Sequence, residues 1–192
     1  MSDTTYEARV ITLPVERATT AARQTAASAA ARQVGAAVGA WSVDDWGRDP
    51  RLVEATIRLG RLRWNTLIAG TERLPARAGA LIVVNARRFA LSPIFTALAL
   101  TGATGRAVRF VGRPDVAPVG AFVRRLGGLL ERPDEVAGAL RAGEVVVMGA
   151  HPEVHPRRVG RVDHRLIGAA VATRTSVFPA ATASSPWGRR LR

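Results

Sequence analysis

Two arginines follow a strongly apolar stretch near the middle of the chain, and guanidinium groups are well suited to binding phosphate. Leu81 to Val84 is a run of branched aliphatic residues, the pattern of a strand covered on both faces. Asn85 ends the run, and Arg87 and Arg88 follow it. Because a guanidinium can donate two parallel hydrogen bonds to a phosphate, this turn predicts an anion site. The alternative is that both arginines are solvated residues of an arginine-rich chain.

The histidines offer a second kind of chemistry, proton transfer or metal binding. His151 and His155 lie four positions apart, but Pro152 and Pro156 exclude the regular helix that would bring both to one face. No acidic cluster accompanies them to complete a zinc site, so we expect neither a metal nor another cofactor. Of the histidines, His151 is the candidate for a catalytic base. The alternative is an ordinary loop histidine.

The overall charge favours anionic partners. Of the 192 residues, 28 are basic, all of them arginine, and 15 are acidic, which gives a net charge of +13. Such a charge suits a peripheral anionic membrane surface or a phosphorylated ligand. Nucleic acid is not an expected partner, because the arginines are dispersed and no nucleic-acid-binding motif accompanies them.

Other features of the composition bear on location. The chain contains no cysteine, which fits a reducing compartment. No run reaches the roughly 18–20 apolar residues of a transmembrane helix, and the N-terminus lacks a secretory signal. We therefore expect a cytoplasmic protein, with possible peripheral attachment to the inner face of the membrane.

Apolar patterning divides the chain into a leader and one domain. Residues 1–40 are rich in alanine and arginine, which predicts a disordered or weakly helical leader. Residues 41–192 contain the elements of a folded domain, and its first helix is predicted to start at Pro50 with Asp49 as its N-cap.

Strands then alternate with helices along the domain. We expect a short strand over residues 64–70, the buried strand described above, and a helix from Ile94 to Leu100 that Gly102 ends. Further strands are expected after Arg106, after Gly127, after Gly143 and after Thr175, with helices between them. This order predicts an α/β fold, a mostly parallel sheet flanked by helices.

Several of these segments, in this order, resemble the glycerolipid acyltransferase family, in an actinobacterial form. Leu74-Pro75 followed by Ala80 to Asn85 is similar to the family's "LP…ILVSNH" segment. Leu126 to Arg132 is similar to its second motif, whose arginine binds the substrate phosphate, and Arg174 to Pro179 resembles its "tGAPIVPV" strand. The resemblance implies a glycerol-phosphate acyltransferase-like fold and assigns phosphate binding to Asn85, Arg87, Arg88 and Arg132. A salt bridge to a neighbouring carboxylate is the alternative for Arg132.

The catalytic part of the family's pattern is absent. Its first motif is a histidine, four residues and an aspartate, and these positions carry Ala86 and Leu91 here. The third motif, "FPEG", is also altered, because Gly149 to Pro152 occupies its place. The C-terminal region is also expected to be shorter than in the family.

Three functions therefore stay open. The first is an acyltransferase-like protein that is impaired or inactive and keeps a lysophospholipid or acyl thioester ligand, or assists an active acyltransferase partner. The second is an active lysophospholipid acyltransferase with a rearranged site that uses His151. The third is an electrostatic binder of anionic surfaces.

Overall fold

The chain folds around a parallel sheet with helices on both sides. The structure is a computed structural model that describes residues 43–63, 66–85, 91–150 and 160–182. Its strands are β1 (Ala80–Val84), β2 (Val108–Val111), β3 (Gly128–Leu129), β4 (Val145–Gly149) and β5 (Ser176–Ala180). Its α-helices are α1 (Pro50–Arg63), α2 (Ser92–Thr104), α3 (Val119–Arg125), α4 (Pro133–Arg141) and α5 (His164–Ala172), and a short 3₁₀ helix spans Thr71–Arg73. The predicted leader, residues 1–40, lies outside the described residues.

The sheet has the order β3-β2-β4-β1-β5, and every described strand pair in it is parallel. Strand β4 is central, and β1 lies inside the sheet between β4 and β5: Val84 is in register with Gly149 of β4 and with Ala180 of β5. The predicted α/β fold with helices flanking the sheet is confirmed. The parallel arrangement also explains the continuous apolar runs, because such strands are covered on both faces.

Two cores lie on opposite faces of the sheet. Helices α1, α2 and α3 cover one face, where Leu52, Ala97, Leu100 and Leu126 pack on side chains such as Phe110. Helices α4 and α5 cover the other face. There Val136, Leu140, Leu166 and Ala170 pack on strand residues that include Val146. Alternate residues of each strand serve the two cores, as the pleat requires.

The predicted start of α1 is confirmed. The Oδ1 atom of Asp49 accepts hydrogen bonds from the backbone N–H groups of Arg51 at 3.0 Å and Leu52 at 3.1 Å. Pro50 occupies the first helical position, where a missing N–H costs nothing. Helix α5 begins in the same way, because Asp163 accepts from the backbone N–H of Arg165.

One predicted helix end and one predicted strand are wrong. Helix α2 does not end at Gly102 but continues to Thr104, and Gly105 caps it with a φ of 69°. Residues 66–70 form no strand, and Leu67 is 86% exposed.

Candidate functional site

The carboxyl ends of the strands lie along one edge of the sheet, which we call the carboxyl edge. Val84 of β1 is level with Gly149 and Ala180, and Val111 of β2 is level with Leu129 of β3. Sites in parallel α/β sheets form beyond this edge, where the loops after several strands meet. The turn predicted from the sequence to bind an anion begins here, directly after β1.

Asn85 anchors the beginning of that turn. Its Nδ2 donates to the backbone carbonyl of Thr182 at 3.1 Å. Its Oδ1 accepts from the backbone N–H and the hydroxyl of Thr182, at 2.6 and 3.1 Å. The side chain therefore ties the end of β1 to the residues after β5, and it positions the turn by these bonds. Its predicted role in phosphate binding stays a prediction.

Leu91 marks the far end of the turn. It is the N-cap residue of α2, makes no side-chain capping bond, and is 47% exposed. An aspartate here would place a carboxylate at a helix N-terminus, where negative charge is stabilised. The predicted site residues Ala86, Arg87, Arg88 and His151 lie outside the described residues.

Arg132 also lies beyond the carboxyl edge, but at the end of the sheet. It follows β3 and precedes α4, and its guanidinium donates to the Asp115 carboxylate at 3.1 Å. The two side chains are 66% and 64% exposed. Three strand spacings separate β3 from β1, which is about 14 Å. A ligand that touches both Asn85 and Arg132 would have to span this distance.

Arg113 was not predicted from the sequence as a site residue, and it lies between Asn85 and Arg132 along the carboxyl edge. It follows β2, and the N–H groups of Gly112 and Arg113 both donate to the carbonyl of Leu129. Its side chain is 14% exposed and lies 3.6 Å from the Glu135 carboxylate, and its Nε is buried without a hydrogen-bond partner. The signal was a basic residue directly after a strand, the same reasoning that selected Arg87 and Arg88.

Apolar side chains are exposed on the elements that start at this edge. Leu91 and Phe95 begin α2, and Val116, Val119 and Phe122 lie in and just before α3. Each of the five is between 46% and 68% exposed. Helices α2 and α3 cover the same face of the sheet, so these side chains border one side of the carboxyl edge.

The amino ends of the strands hold buried charges that the sequence reading also missed. Arg109 of β2 is only 1% exposed, and its Nη2 donates to Asp44 at 2.8 Å and to Glu144 at 3.1 Å. Its guanidinium also lies 5.7 Å from the centre of the Trp46 ring, within range of a cation–π contact. A buried arginine with two carboxylate partners is a structural ion pair that closes the amino end of the sheet.

Neither a metal centre nor a membrane span is found in the part of the chain that the structure describes. No three His, Cys, Asp or Glu side chains of these residues are grouped closely enough to bind a metal ion. None of the described helices has the length and apolarity needed to cross a bilayer.

The fold and the edge described above define a parallel α/β protein whose carboxyl edge carries two paired arginines and exposed apolar side chains. No family model, curated protein or solved structure matches the chain. Its likeness to the glycerolipid acyltransferases therefore depends on the residues and their order alone.

Proposed function

We propose that the chain is an acyltransferase-like protein that binds a lysophospholipid or acyl thioester at its carboxyl edge without transferring the acyl group. Leu91 carries this proposal. It begins the helix that follows the turn after β1, the position to which the resemblance assigns the catalytic aspartate. An exposed aliphatic side chain there can neither orient nor charge-stabilise an imidazole.

The chemistry of acyl transfer explains why this loss matters. The hydroxyl of the acceptor attacks the thioester carbonyl, and a base must remove its proton as the new ester bond forms and the thiolate leaves. A positioned base contributes about 10²–10⁴ in rate. With Ala86 and Leu91 in place of the base and its partner, the bound substrates would remain unreacted.

The chemistry of the carboxyl edge supports a lipid ligand. Arg113 and Arg132 lie beyond adjacent strands and supply positive charge, and guanidinium groups suit a phosphate head group. The exposed Leu91, Phe95 and Phe122 offer apolar surface on the same edge. Together with the net charge of +13, this supports peripheral attachment to an anionic bilayer.

Binding can be tested with lysophosphatidic acid below its micelle concentration. We expect saturable binding to the purified chain that weakens about tenfold in Arg113→Met, because a charge-assisted hydrogen bond contributes about 1.5–3 kcal/mol. Arg141→Met is the matched control, since Arg141 is exposed at the end of α4, on the opposite edge of the sheet. Equal weakening in both variants would indicate general charge attraction and would contradict the proposal.

Restoring the missing pair tests the catalytic half of the proposal. In the variant Ala86→His with Leu91→Asp, we expect acyl transfer from an acyl thioester to lysophosphatidic acid, and none in either single variant. The Leu91→Asn version of the double variant is the control, because it keeps the shape of the aspartate without its charge. If the double variant binds the lipid but stays inactive, the loss of catalysis is not due to Ala86 and Leu91 alone, which would contradict this part of the proposal.

The net charge favours a second candidate, electrostatic binding of anionic surfaces with no specific pocket. Exposed charges are screened beyond about 8 Å at physiological salt. This function predicts vesicle binding that disappears as salt is raised and that depends equally on Arg113 and Arg141. The ligand-binding proposal predicts that the two arginines differ.

A further inference from the structure

A groove lies on the opposite side of the molecule from the carboxyl edge. It runs between α1 and the last turn of α2, near the amino ends of the strands, and encloses about 320 Å³. Its walls include Arg48, Arg58 and Arg61 on one side and Thr101, Gly102 and Gly105 on the other. The volume is within the range of small-molecule sites. None of these residues belongs to the carboxyl edge, so the groove is a separate feature.

Arg48 is the unusual member of this groove. The residue is only 7% exposed, yet its side chain forms neither an ion pair nor a hydrogen bond with any described residue. Its Nε is fully covered and has no acceptor. The aliphatic stem packs against Gly127, where an added Cβ would come within 3.3 Å of the Arg48 Cδ. A buried cation that no described side chain pairs with is costly even when carboxylates lie nearby, so a bound anion is a natural complement.

The carboxylates near Arg48 already serve other arginines. Asp44 and Glu144 both accept hydrogen bonds from Arg109, and Asp49 accepts one from Arg125 at 2.6 Å. Burial lowers the pKa of Arg48 and the charge of Arg109 adds to this effect, while the charges of Asp44, Glu144 and Asp49 oppose it without cancelling it. Because a guanidinium remains protonated even so, Arg48 keeps a positive charge, and none of the described carboxylates forms an ion pair with it.

The rest of the groove extends the same chemistry. The hydroxyl of Thr101 is covered by the surrounding protein, so the wall formed by α2 presents mainly apolar and backbone atoms to the groove. Arg61 is exposed and bonds only weakly to the Gly102 carbonyl, at 3.5 Å, and Arg58 pairs with Glu54 on the same helix. Three arginines against one glutamate leave a local charge of +2. Gly102 and Gly105 carry no side chains that would fill the space.

We propose that this groove binds a phosphate group, held by the guanidinium of Arg48 with help from Arg61. A phosphate monoester carries about −1.5 to −2 charges at neutral pH, which matches the local charge. The phosphate could come from a soluble ion or ester or from a lipid head group, and the chemistry is the same for both. The proposal is independent of the function at the carboxyl edge, because the two places share no residue.

Titration calorimetry of the full chain with inorganic phosphate and with glycerol 3-phosphate tests the proposal, at a fixed ionic strength of about 0.15 M. We expect saturable binding that weakens about tenfold or more in Arg48→Met, a change that keeps the stem against Gly127. Arg141→Met removes an exposed arginine elsewhere and should leave the affinity unchanged. Retained binding in Arg48→Met, or an equal loss in Arg141→Met, would overturn the proposal.

A second arm separates the soluble from the lipid source. Vesicles of phosphatidylcholine with phosphatidic acid are offered to the same three proteins. If the lipid is the source, vesicle binding falls in Arg48→Met while soluble phosphate does not bind. If neither soluble phosphate nor vesicles distinguish Arg48→Met from Arg141→Met, the groove holds no phosphate.

Thermal unfolding gives a readout that does not depend on a binding signal. Without phosphate, Arg48→Met should melt about 2–4 °C above the wild-type chain, because the unpaired buried charge is removed. Phosphate should raise the melting temperature of the wild-type chain and of Arg141→Met but not that of Arg48→Met. Arg61→Met should weaken phosphate binding about threefold to tenfold. A melting temperature of Arg48→Met that rises with phosphate as in the wild type would contradict the site.

Discussion

Arg109 is a charged residue that is almost completely buried in the sheet. Its strand position faces the core between the sheet and α4, where an aliphatic residue would be expected. Two carboxylates, Asp44 and Glu144, compensate the charge, and Trp46 lies beside the guanidinium. Removing one member of such a group leaves an uncompensated charge in a partly buried place. The cost of that charge exceeds the free energy that the intact group contributes to folding.

We therefore expect Arg109→Met to lower the free energy of unfolding by about 2–4 kcal/mol, somewhat less than for fully buried carboxylates. Asp44 and Glu144 keep 31% and 20% of their side-chain surface exposed, so water offsets part of the loss. Urea unfolding followed by circular dichroism measures the change.

Arg132→Met is the matched control, because its ion pair with Asp115 is exposed on both sides. Exposed pairs contribute only about 0–1 kcal/mol, so this variant should unfold almost as the wild type does. Equal destabilisation of the two variants would mean that the burial of Arg109 has no energetic consequence.

At the scale of elements, Asp49 fixes where the first helix begins. Its carboxylate is fully buried, caps α1 through Oδ1, and accepts from Arg125 through Oδ2. Asp49→Ala loses both functions, and we expect a loss of about 3–5 kcal/mol in the free energy of unfolding.

Asp49→Asn separates the two contributions of Asp49. The amide oxygen can still cap the helix, an interaction that contributes about 1 kcal/mol, but the ion pair is lost. Chemical denaturation should therefore order the stabilities as wild type, Asp49→Asn, Asp49→Ala. An asparagine variant no more stable than the alanine variant would show that capping by this residue contributes nothing.

Strand β1 begins at a close contact with α4. A Cβ added to Gly79 would lie 2.5 Å from the backbone carbonyl of Leu140, and a backbone atom cannot move aside as a side chain can. We expect Gly79→Ala to cost about 1–3 kcal/mol through overpacking.

Gly168→Ala is the opposite case. Gly168 lies inside α5 with nothing within 4 Å of its added Cβ, so the change should stabilise by about 0.5–1 kcal/mol through helix propensity. Thermal unfolding of both variants checks the pair. A stabilised Gly79→Ala variant would contradict the tight contact between β1 and α4.

The elements themselves could be predicted from local patterns, and their ends only in part. Continuous apolar runs identified β1 and β4, and the Asp49-Pro50 pair identified the start of α1. The end of α2 was predicted wrongly at Gly102. This glycine lies against Ile57 and Arg61 of α1, so it permits close helix packing and does not end the helix. Whether a glycine ends a helix or permits a neighbour to approach depends on tertiary contacts.

The candidate sites show the same division. A strand followed by arginines pointed to the carboxyl edge, and the parallel sheet fits that placement. The groove at Arg48 could not be found from the sequence, because Arg48 and Thr101 come together only when α1 packs against α2. Nothing local distinguishes Arg48 from the other arginines in a chain that contains 28 basic residues.

For the whole molecule, the two ends of the sheet have different characters. The carboxyl edge combines Arg113 and Arg132 with exposed apolar side chains, which suits a lipid ligand. The amino end combines structural ion pairs with the groove at Arg48, which suits a small anion. The two proposals therefore assign different ligands to the two ends, a lipid to the carboxyl edge and a phosphate to the groove.

Acyl transfer by the purified wild-type chain, from a radiolabelled acyl thioester to lysophosphatidic acid, tests the central claim most directly. A chain that binds the lipid without a base should produce no phosphatidic acid above the rate without protein, across the pH range in which it stays folded. Clear turnover by the wild type that is lost in His151→Ala would contradict the account, because it would show a working catalytic base in a site that we describe as having none.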